Sequence, residues 1–530
     1  MDRREFLKRA VPATTIPFLM NGFRLQAYGR SPLMDALTNA ALASDRILVL
    51  IQLNGGNDGL NTVIPLDRYA ELTSARSNIL IPASKVLALS ASTGLHPAMT
   101  ALRDLYTNGQ LLVVQGVSYP DPNFSHFRAT DIWLTASDAS VVLDSGWLGR
   151  YLDAEYPGYP GAYPSPQMPD PLALQIGSVV TPALQGPTVS MGIAVTNPNT
   201  TYFLPGGSDT PPNTPAGHEL TYIREVAQQT QSYSTSIKTA AGKGKNLSVL
   251  YPAAGQNPLA DQLKIVAQLI SGGLASRIYV VNLGGFDTHS NQVTSADTTL
   301  GTHAGLLGKL SSAIAAFEDD LRLLGVQDRV IGMTFSEFGR RIKSNASGGT
   351  DHGVAEPVFI FGTGVNAGIL GTSPVMPANP TVNDNVPLQF DFRSVYSSIL
   401  KDWFGASSTE LSTAISGTIT NPLSASVVSS GAIAGVGGGA GSPQEFNLEQ
   451  NYPNPFNPST TIRYELPRGA NVLIDIYNTA GERVAVLFDG PQGSGTHEVV
   501  FNAGTRASGV YFYRIRAGDY TATRRMLLIK

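Results

Sequence analysis

With 530 residues the chain is too long for one ordinary domain, and its 42% hydrophobic content is enough for a substantial core. The formal charge of −4 gives no electrostatic reason to expect a nucleic-acid partner. The absence of cysteine excludes disulfides, thiolate metal sites and cysteine nucleophiles, and no apolar run reaches the ~18 residues that would predict a transmembrane anchor.

The N-terminus reads Asp2-Arg3-Arg4-Glu5-Phe6-Leu7-Lys8, followed over 10–20 by a mild apolar stretch that contains Thr14, Thr15 and two prolines. This resembles a twin-arginine export signal within 1–30, although Asp2 stands where Ser or Thr is usual. The weak apolar stretch suits a signal better than an anchor.

Residues 45–423 read as one α/β unit. The apolar run over 47–53, closed by Asn54-Gly55-Gly56, is the pattern of a buried central strand. Further strands are expected over 111–114, 277–283, 329–335 and 358–361. Helical patterns fill 97–108, 262–272 and 303–324, the last with Leu306, Leu307, Leu310, Ile314 and Phe317 on one side. Strands alternating with helices predict a mostly parallel sheet sandwiched by helices, with ligands at the carboxyl ends of the strands. The Pro-, Tyr-, Gly- and Thr-rich stretch over 150–260 breaks this rhythm and is read either as an insertion or cap near the site or as a surface excursion.

A Gly/Ala/Ser-rich linker is expected over 424–443. Beyond it, over 444–530, short runs at 461–466, 472–477, 498–501 and 510–515, separated by turn residues, predict a small all-β sandwich.

Candidate chemistry gathers at the predicted strand ends. After the first strand, Asn54-Gly55-Gly56-Asn57-Asp58-Gly59 lets the backbone turn sharply and offers Asn57 or Asp58 to a metal, although Asn-Asp-Gly is also ordinary turn chemistry. After the second, Ser125-His126-Phe127 opens a helical segment. Ser125 there is a candidate nucleophile beside a helix N-terminus, or simply its cap, and His126 joins it as a candidate catalytic residue. After the third, Asp287 and His289 lie two residues apart, on one side of extended chain, and suit Zn, Mn or Fe. His303, at the next helix start, is a candidate supporting group or a surface histidine. After the fourth, Glu337 is a candidate ligand or general base, or a helix-start carboxylate, and Arg340 or Arg341 suits an anionic substrate. Gly348-Gly349-Thr350-Asp351-His352-Gly353 then adds Asp351 and His352. Of seven histidines, three fall in these motifs, which argues for a site more than any one motif does.

The segments 53–60, 95–99, 125–127, 285–289, 336–340, 349–353 and Asp391-Phe392-Arg393 with Tyr396 together resemble the DUF1501 family, whose fold is related to alkaline phosphatases and sulfatases. The resemblance implies an alkaline-phosphatase-like α/β fold, a divalent metal, a small anionic ester as substrate and hydrolysis of phosphate or sulfate esters. It places Asn57 or Asp58 near a first ligand, Ser125 at the nucleophile, Asp287 and His289 at a metal pair and His352 at a later histidine ligand. Where phosphatases of that kind carry Asp-His, this chain has Glu337-Phe338. The alternative is a surface-displayed binding or structural protein without turnover.

The C-terminal segment resembles the sorting domain of type IX secretion substrates. The resemblance is carried by Asn451-Tyr452-Pro453-Asn454-Pro455-Phe456-Asn457-Pro458, Tyr477-Asn478-Thr479-Ala480-Gly481-Glu482, Ser508-Gly509-Val510-Tyr511-Phe512-Tyr513 and the final Met526-Leu527-Leu528-Ile529-Lys530. It implies the type IX machinery as a partner and a secreted or cell-surface location reached through the periplasm. A carbohydrate-binding sandwich is the other reading.

Overall fold

The computed structural model describes residues 17–20, 23–26, 45–165, 168–199, 212, 214–429, 446–448, 450–451, 454–466, 470–479, 481–492, 495–504, 506–518 and 520–529. The Arg3-Arg4 motif and linker residues 430–443 lie outside these. The chain divides into two compact units, Met1–Gly435 and Val436–Lys530.

In the first unit, β1 (Ile47–Asn54), β2 (Leu111–Ser118), β3 (Ala173–Ile176), β4 (Gly192–Val195), β5 (Ile278–Gly284) and β6 (Val330–Phe335) are followed by a hairpin of β7 (Arg340–Ser344) and β8 (Thr350–His352). Then come β9 (Glu356–Phe361), β10 (Gly368–Leu370) and β11 (Phe390–Asp391). The helices that matter here are α1 (Tyr69–Arg76), α2 (Thr100–Thr107), α3 (His126–Thr135), α4 (Trp147–Glu155), α5 (Pro215–Lys243), α6 (Pro258–Ser271), α7 (Thr302–Leu323) and α8 (Phe392–Ser398). The nine-stranded sheet runs β10-β2-β9-β6-β1-β5-β3-β4, with β11 also paired to β2. Leu48, Val49, Leu50 and Ile51 of β1 are fully buried, as befits a strand with both faces covered. On α7, Leu307, Leu310, Ile314 and Phe317 are fully buried, so the expected apolar stripe is the packed one. Asn257 caps α6 by accepting from the N–H groups of Leu259 and Ala260, with Pro258 in the first turn.

The expected mostly parallel sheet is borne out with one exception, and one expectation is corrected. The sheet is largely parallel, but β9 runs antiparallel to both β6 and β2. A parallel return from β6 needs a long crossover, usually a helix; here the chain folds into the β7–β8 hairpin instead and comes back reversed. That reversal brings the start of β9, with His352 just before it, to the edge where β1, β5 and β6 end. The stretch over 150–260 is not an insertion: among its described residues β3 and β4 extend the sheet past β5 with parallel pairing. Leu174 and Ile193 on these strands are fully buried. Its Pro- and Gly-rich turns hid two four-residue strands too short to show a period.

In the second unit, β12 (Asn447–Leu448), β13 (Ser459–Leu466), β14 (Ala470–Tyr477), β15 (Arg483–Gln492), β16 (Gly495–Asn502), β17 (Gly509–Ala517) and β18 (Tyr520–Leu528) form two antiparallel sheets, β12-β13-β16 and β15-β14-β17-β18. Ile462 and Tyr464 from the first and Ile474, Ile476, Tyr513 and Ile515 from the second share one core, which is the expected sandwich.

Candidate metal centre

The loops that follow β1, β5 and β6, and the chain entering β9, meet at one edge of the sheet. Their convergence rests on close backbone contact. Gly55 and Gly56 have φ of +123° and +80°. A Cβ on Gly55 would lie 2.3 Å from the Asp287 nitrogen, and one on Gly56 would strike the Phe338 ring. The N–H groups of this loop point at the loop after β6: Gly55 donates to Glu337 Oε1 (2.9 Å), and Gly56 and Asn57 donate to Ser336 Oγ (3.1 and 3.2 Å). The glycine turn is thus a cradle for Glu337 and Ser336.

Three imidazoles surround one carboxylate in front of this cradle. His126 Nε2 lies 3.6 Å from Asp287 Oδ2, and His289 and His352 place Nε2 at 3.2 and 3.3 Å from Asp287 Oδ1. The Nε2 atoms of His289 and His352 are 2.8 Å apart. Each ring is held from its other nitrogen by a group that only accepts. His126 Nδ1 meets Glu337 Oε1 at 2.8 Å, His289 Nδ1 meets Asp351 Oδ1 at 3.1 Å, and His352 Nδ1 meets the Phe124 carbonyl at 2.8 Å. Facing an acceptor, each Nδ1 carries the hydrogen, so in the neutral rings the lone pairs sit on the three Nε2 atoms beside Asp287. This is how metal-binding histidines are oriented by their outer partners. Two ligands ~2.0–2.1 Å from a tetrahedral ion lie roughly 3.3 Å apart, and the four separations of 2.8–3.6 Å bracket that value. Three of these donors, on His126, Asp287 and His352, lie within 4.8 Å of one another and fit a divalent ion, and His289 adjoins two of them.

The remaining site expectations divide. Ser125 is the N-cap of α3, exposed, with no side-chain cap bond. It stands between Phe124 and His126, both of which touch the cluster. Glu337 joins the site by holding His126. Asp351 lies beside the cluster, where its Oδ1 meets His289 Nδ1 and accepts from Asn345 Nδ2 (3.1 Å). The Arg340 guanidinium donates to the Gly56, Thr350, Gly55 and Phe286 carbonyls and to Asp287 Oδ1, so it is buried among the loops it ties together. Asn57 and Asp58 face the interior. Asp58 accepts twice from Arg76 Nη1 (2.8 Å each) and once from Gln292 Nε2 (2.6 Å), and Asn57 Oδ1 takes hydrogen bonds from Thr62 and His303. Neither reaches the histidine cluster, because the turn that brings Gly55 against Asp287 aims the next two side chains inward. His303 is likewise buried rather than on the surface.

Sequence reasoning missed Arg76, Gln292 and Asn345. Arg76 and Gln292 are fully buried polar residues of ordinary-looking segments. Asn345 donates to the His289 carbonyl and to Asp351 from the β7–β8 hairpin, a unit read only as loop.

Burial alone would raise the Asp287 carboxyl, but the hydrogen bond and charge of Arg340 outweigh it and hold it below the usual range. Asp351 is lowered first by its bond from Asn345. Burial lowers the His352 imidazole, which favours the neutral, ligating form. Behind the site, burial works against the Asp58 carboxyl while the Arg76 charge lowers it on balance. Burial brings His303 down to about 4 and His96 to about 3. Burial pushes Glu356, which accepts from the Ser336 N–H, well above the carboxylate range.

Fold and site together define an α/β protein with a histidine–carboxylate cluster at its strand ends, followed by a β-sandwich tail. Residues 225–401 match the family described as protein of unknown function (DUF1501), a segment that holds Asp287, His289, Glu337, Arg340, Asp351 and His352 but not His126. Residues 450–530 match the secretion system C-terminal sorting domain. Both expected resemblances are borne out on these segments. No curated protein matches the chain. Among solved structures, dimeric latent PorU from Porphyromonas gingivalis aligns at 17% identity over 16% of this chain and 9% of its own, with a TM-score of 0.13. The chain thus spans less than a tenth of PorU. A putative sulfatase from Bacteroides fragilis aligns at 10% identity over 88% of this chain and 90% of its own (TM-score 0.33). A phosphonate monoester hydrolase from Silicibacter pomeroyi aligns at 10% identity over 91% and 88% (TM-score 0.30). Likeness of this degree carries no argument about the reaction. The C-terminal match indicates type IX secretion sorting and a secreted or cell-surface protein. Among the described residues no helix is long and apolar enough to cross a membrane.

Proposed function

We propose that the body is a metal-dependent hydrolase of phosphate or sulfate esters, with His126, Asp287, His289 and His352 holding a divalent ion of the Zn, Mn or Fe kind. The observation that supports this is the common orientation of three imidazoles, each tied at Nδ1 so that Nε2 faces Asp287. An ion bound there supplies Lewis-acid polarisation and charge stabilisation. Glu337, Asp351 and the Phe124 carbonyl fix the ligand rings. Arg340 holds Asp287 ionised and in place. Ser125, exposed beside His126, is the proposed nucleophile, its hydroxyl adding to the ester phosphorus or sulfur as the alcohol departs. We also propose a twin-arginine signal within 1–30, export through the periplasm, a catalytic body over 45–423, a linker over 424–443 and a tail over 444–530.

A second reading, a displayed binding protein without turnover, is favoured by one observation: Arg340 is buried and turned on scaffold carbonyls and Asp287. The test is elemental analysis of the purified protein, then a screen of phosphate and sulfate monoesters with wild type and Ser125→Ala. The hydrolase reading expects roughly stoichiometric metal and turnover that falls by about 100-fold or more in the variant. Metal without turnover supports the binding protein. Absence of metal after incubation with each ion removes the proposed centre.

A further inference from the structure

The outer face of the four-stranded tail sheet holds a buried acid under a ring of arginines. Side chains alternate along a strand. Ile474 and Ile476 of β14 enter the core, so Asp475 between them points to the other face, yet it is fully buried. What covers it is Arg483 from β15 and Arg514 and Arg516 from β17, at 3.4, 3.5 and 3.3 Å, with the Tyr477 hydroxyl at 3.2 Å. Pairing sets this arrangement: Arg514 lies directly opposite Asp475, Arg516 opposite Leu473 and Arg483 opposite Tyr477. Arg514 also stacks 4.6 Å over the Tyr477 ring, and its Nε is buried without an acceptor. Arg525 of β18, opposite Phe512, is exposed on the same face.

One carboxylate satisfies one of these charges. Gathering three guanidiniums around it costs repulsion that a structural ion pair does not need. The composition is also regional. Residues 444–530 contain nine Lys and Arg against eight Asp and Glu, a net +1 within a chain of −4, and eight of the nine are arginine. Arginine over lysine, interleaved with Tyr477, Phe512 and the 47%-exposed Val486, is the composition of a protein interface. A surface that only drew anionic lipid would accept lysine equally. The guanidinium fork matches carboxylates in pairs.

We infer that this face, centred on Asp475 and ringed by Arg483, Arg514, Arg516 and Arg525, docks an acidic protein surface during export. The inference rests on the sorting-domain match and is independent of the proposed hydrolase.

The test uses the full chain carrying Arg516→Gln and Arg525→Gln, which leaves Arg483 and Arg514 to pair with Asp475. Three things are measured: the exported fraction in a bacterium with a type IX system, the melting temperature of the purified chain, and binding to immobilised poly-L-glutamate and to phosphatidylglycerol vesicles. The inference expects an unchanged melting temperature, a drop of roughly tenfold in export and in salt-sensitive polyglutamate binding, and only partial recovery with Arg516→Lys and Arg525→Lys. Undiminished export of the folded variant overturns it. So does binding to vesicles that exceeds binding to polyglutamate, since the face would then be reading lipid phosphate.

Discussion

Two groups of polar residues meet at the carboxyl edge of the sheet, and they differ in what their hydrogen bonds achieve. His126, Asp287, His289 and His352 stand at the rim, with side chains 20–47% exposed and their outer nitrogens tied back so that free lone pairs converge. Asp58, Arg76, Asn57, His303 and Gln292 lie a layer deeper, buried, with their groups turned mostly on one another. At the rim lone pairs converge; in the inner layer most groups bond one another, with Asn57 Nδ2 and His303 Nδ1 left without a partner. An exposed cluster whose lone pairs converge points to a ligand, whereas a buried network bonded mostly within itself points to the scaffold that fixes the loops. Arg340 belongs to both, because one guanidinium binds four carbonyls of the scaffold and the carboxylate of the rim.

The largest expected effect sets these layers against each other. Asp58→Asn leaves the fully buried Arg76 without its counter-charge, which should destabilise the body by about 3–5 kcal/mol. Metal binding by the protein that remains folded should stay near wild type. Asp287→Asn should do the reverse: metal affinity should fall beyond the roughly 10–100-fold of outer-partner changes, with a smaller loss of stability than Asp58→Asn. The buried Arg340 then loses its charged partner but keeps its carbonyl acceptors, and the Asp287 side chain is 47% exposed. Denaturant titration and metal titration on both variants decide it. If the two substitutions moved both readouts alike, the separation into layers would be wrong.

That separation was not legible in the sequence, although much else was. The buried strands announced themselves as short apolar runs closed by glycine, and α7 by its stripe, because burial on both faces or on one leaves a composition that needs no partner to be read. The convergence of Asp287, His289 and His352 was also readable, since strand ends are where α/β sheets place ligands. Asn57 and Asp58 were misread because a turn motif states that the chain bends, not which way its side chains face afterwards. Here the positive φ of Gly55 and Gly56 decides that. Arg340 was misread because a guanidinium that clamps a substrate and one that clamps carbonyls are the same residue in sequence. The reversal of β9 was hidden because its residues are as apolar as those of any parallel neighbour.

Acid provides the next test, acting on the inner layer. His303 and His96 are held neutral in the fold, at about 4 and about 3, against ~6.5 in an unfolded chain. Between those values each histidine binds its proton more readily in the unfolded chain, so its own contribution to stability rises with pH and falls on acidification. Burial raises Glu318 to about 8 and Glu356 well above its range, and these two act in the opposite sense. From pH 7 to pH 5 the loss should be about 2 kcal/mol for each histidine, and the decline should level off as pH approaches 4 and His303 is protonated in the folded state as well. Chemical denaturation across that range checks it. His303→Gln should remove about half of the histidine contribution, read as the difference between its pH profile and that of the wild type.

The smallest effect lies within the rim and asks how far the outer partners matter. His352 is oriented by a backbone carbonyl, which no substitution removes, and His126 by the buried Glu337. His289 depends on Asp351, whose side chain is 57% exposed. Water competes for both members of that last pair, so their bond should contribute least. Asp351→Asn keeps an oxygen in reach of His289 Nδ1 but removes the charge. Metal affinity should therefore weaken by roughly tenfold, the low end for an outer partner, while melting temperature stays put. Glu337→Gln, buried and shared with the Gly55 N–H, should cost more. Nitrogen-15 NMR of the imidazoles gives the decisive reading: in Asp351→Asn the His289 ring should lose its uniform Nδ1–H tautomer, because the amide can also turn its NH2 group to Nδ1, while His352 keeps its own. Were all three rings to hold the same tautomer after the substitution, the order at the rim would come from packing among the rings themselves, and Asp351 would be a bystander.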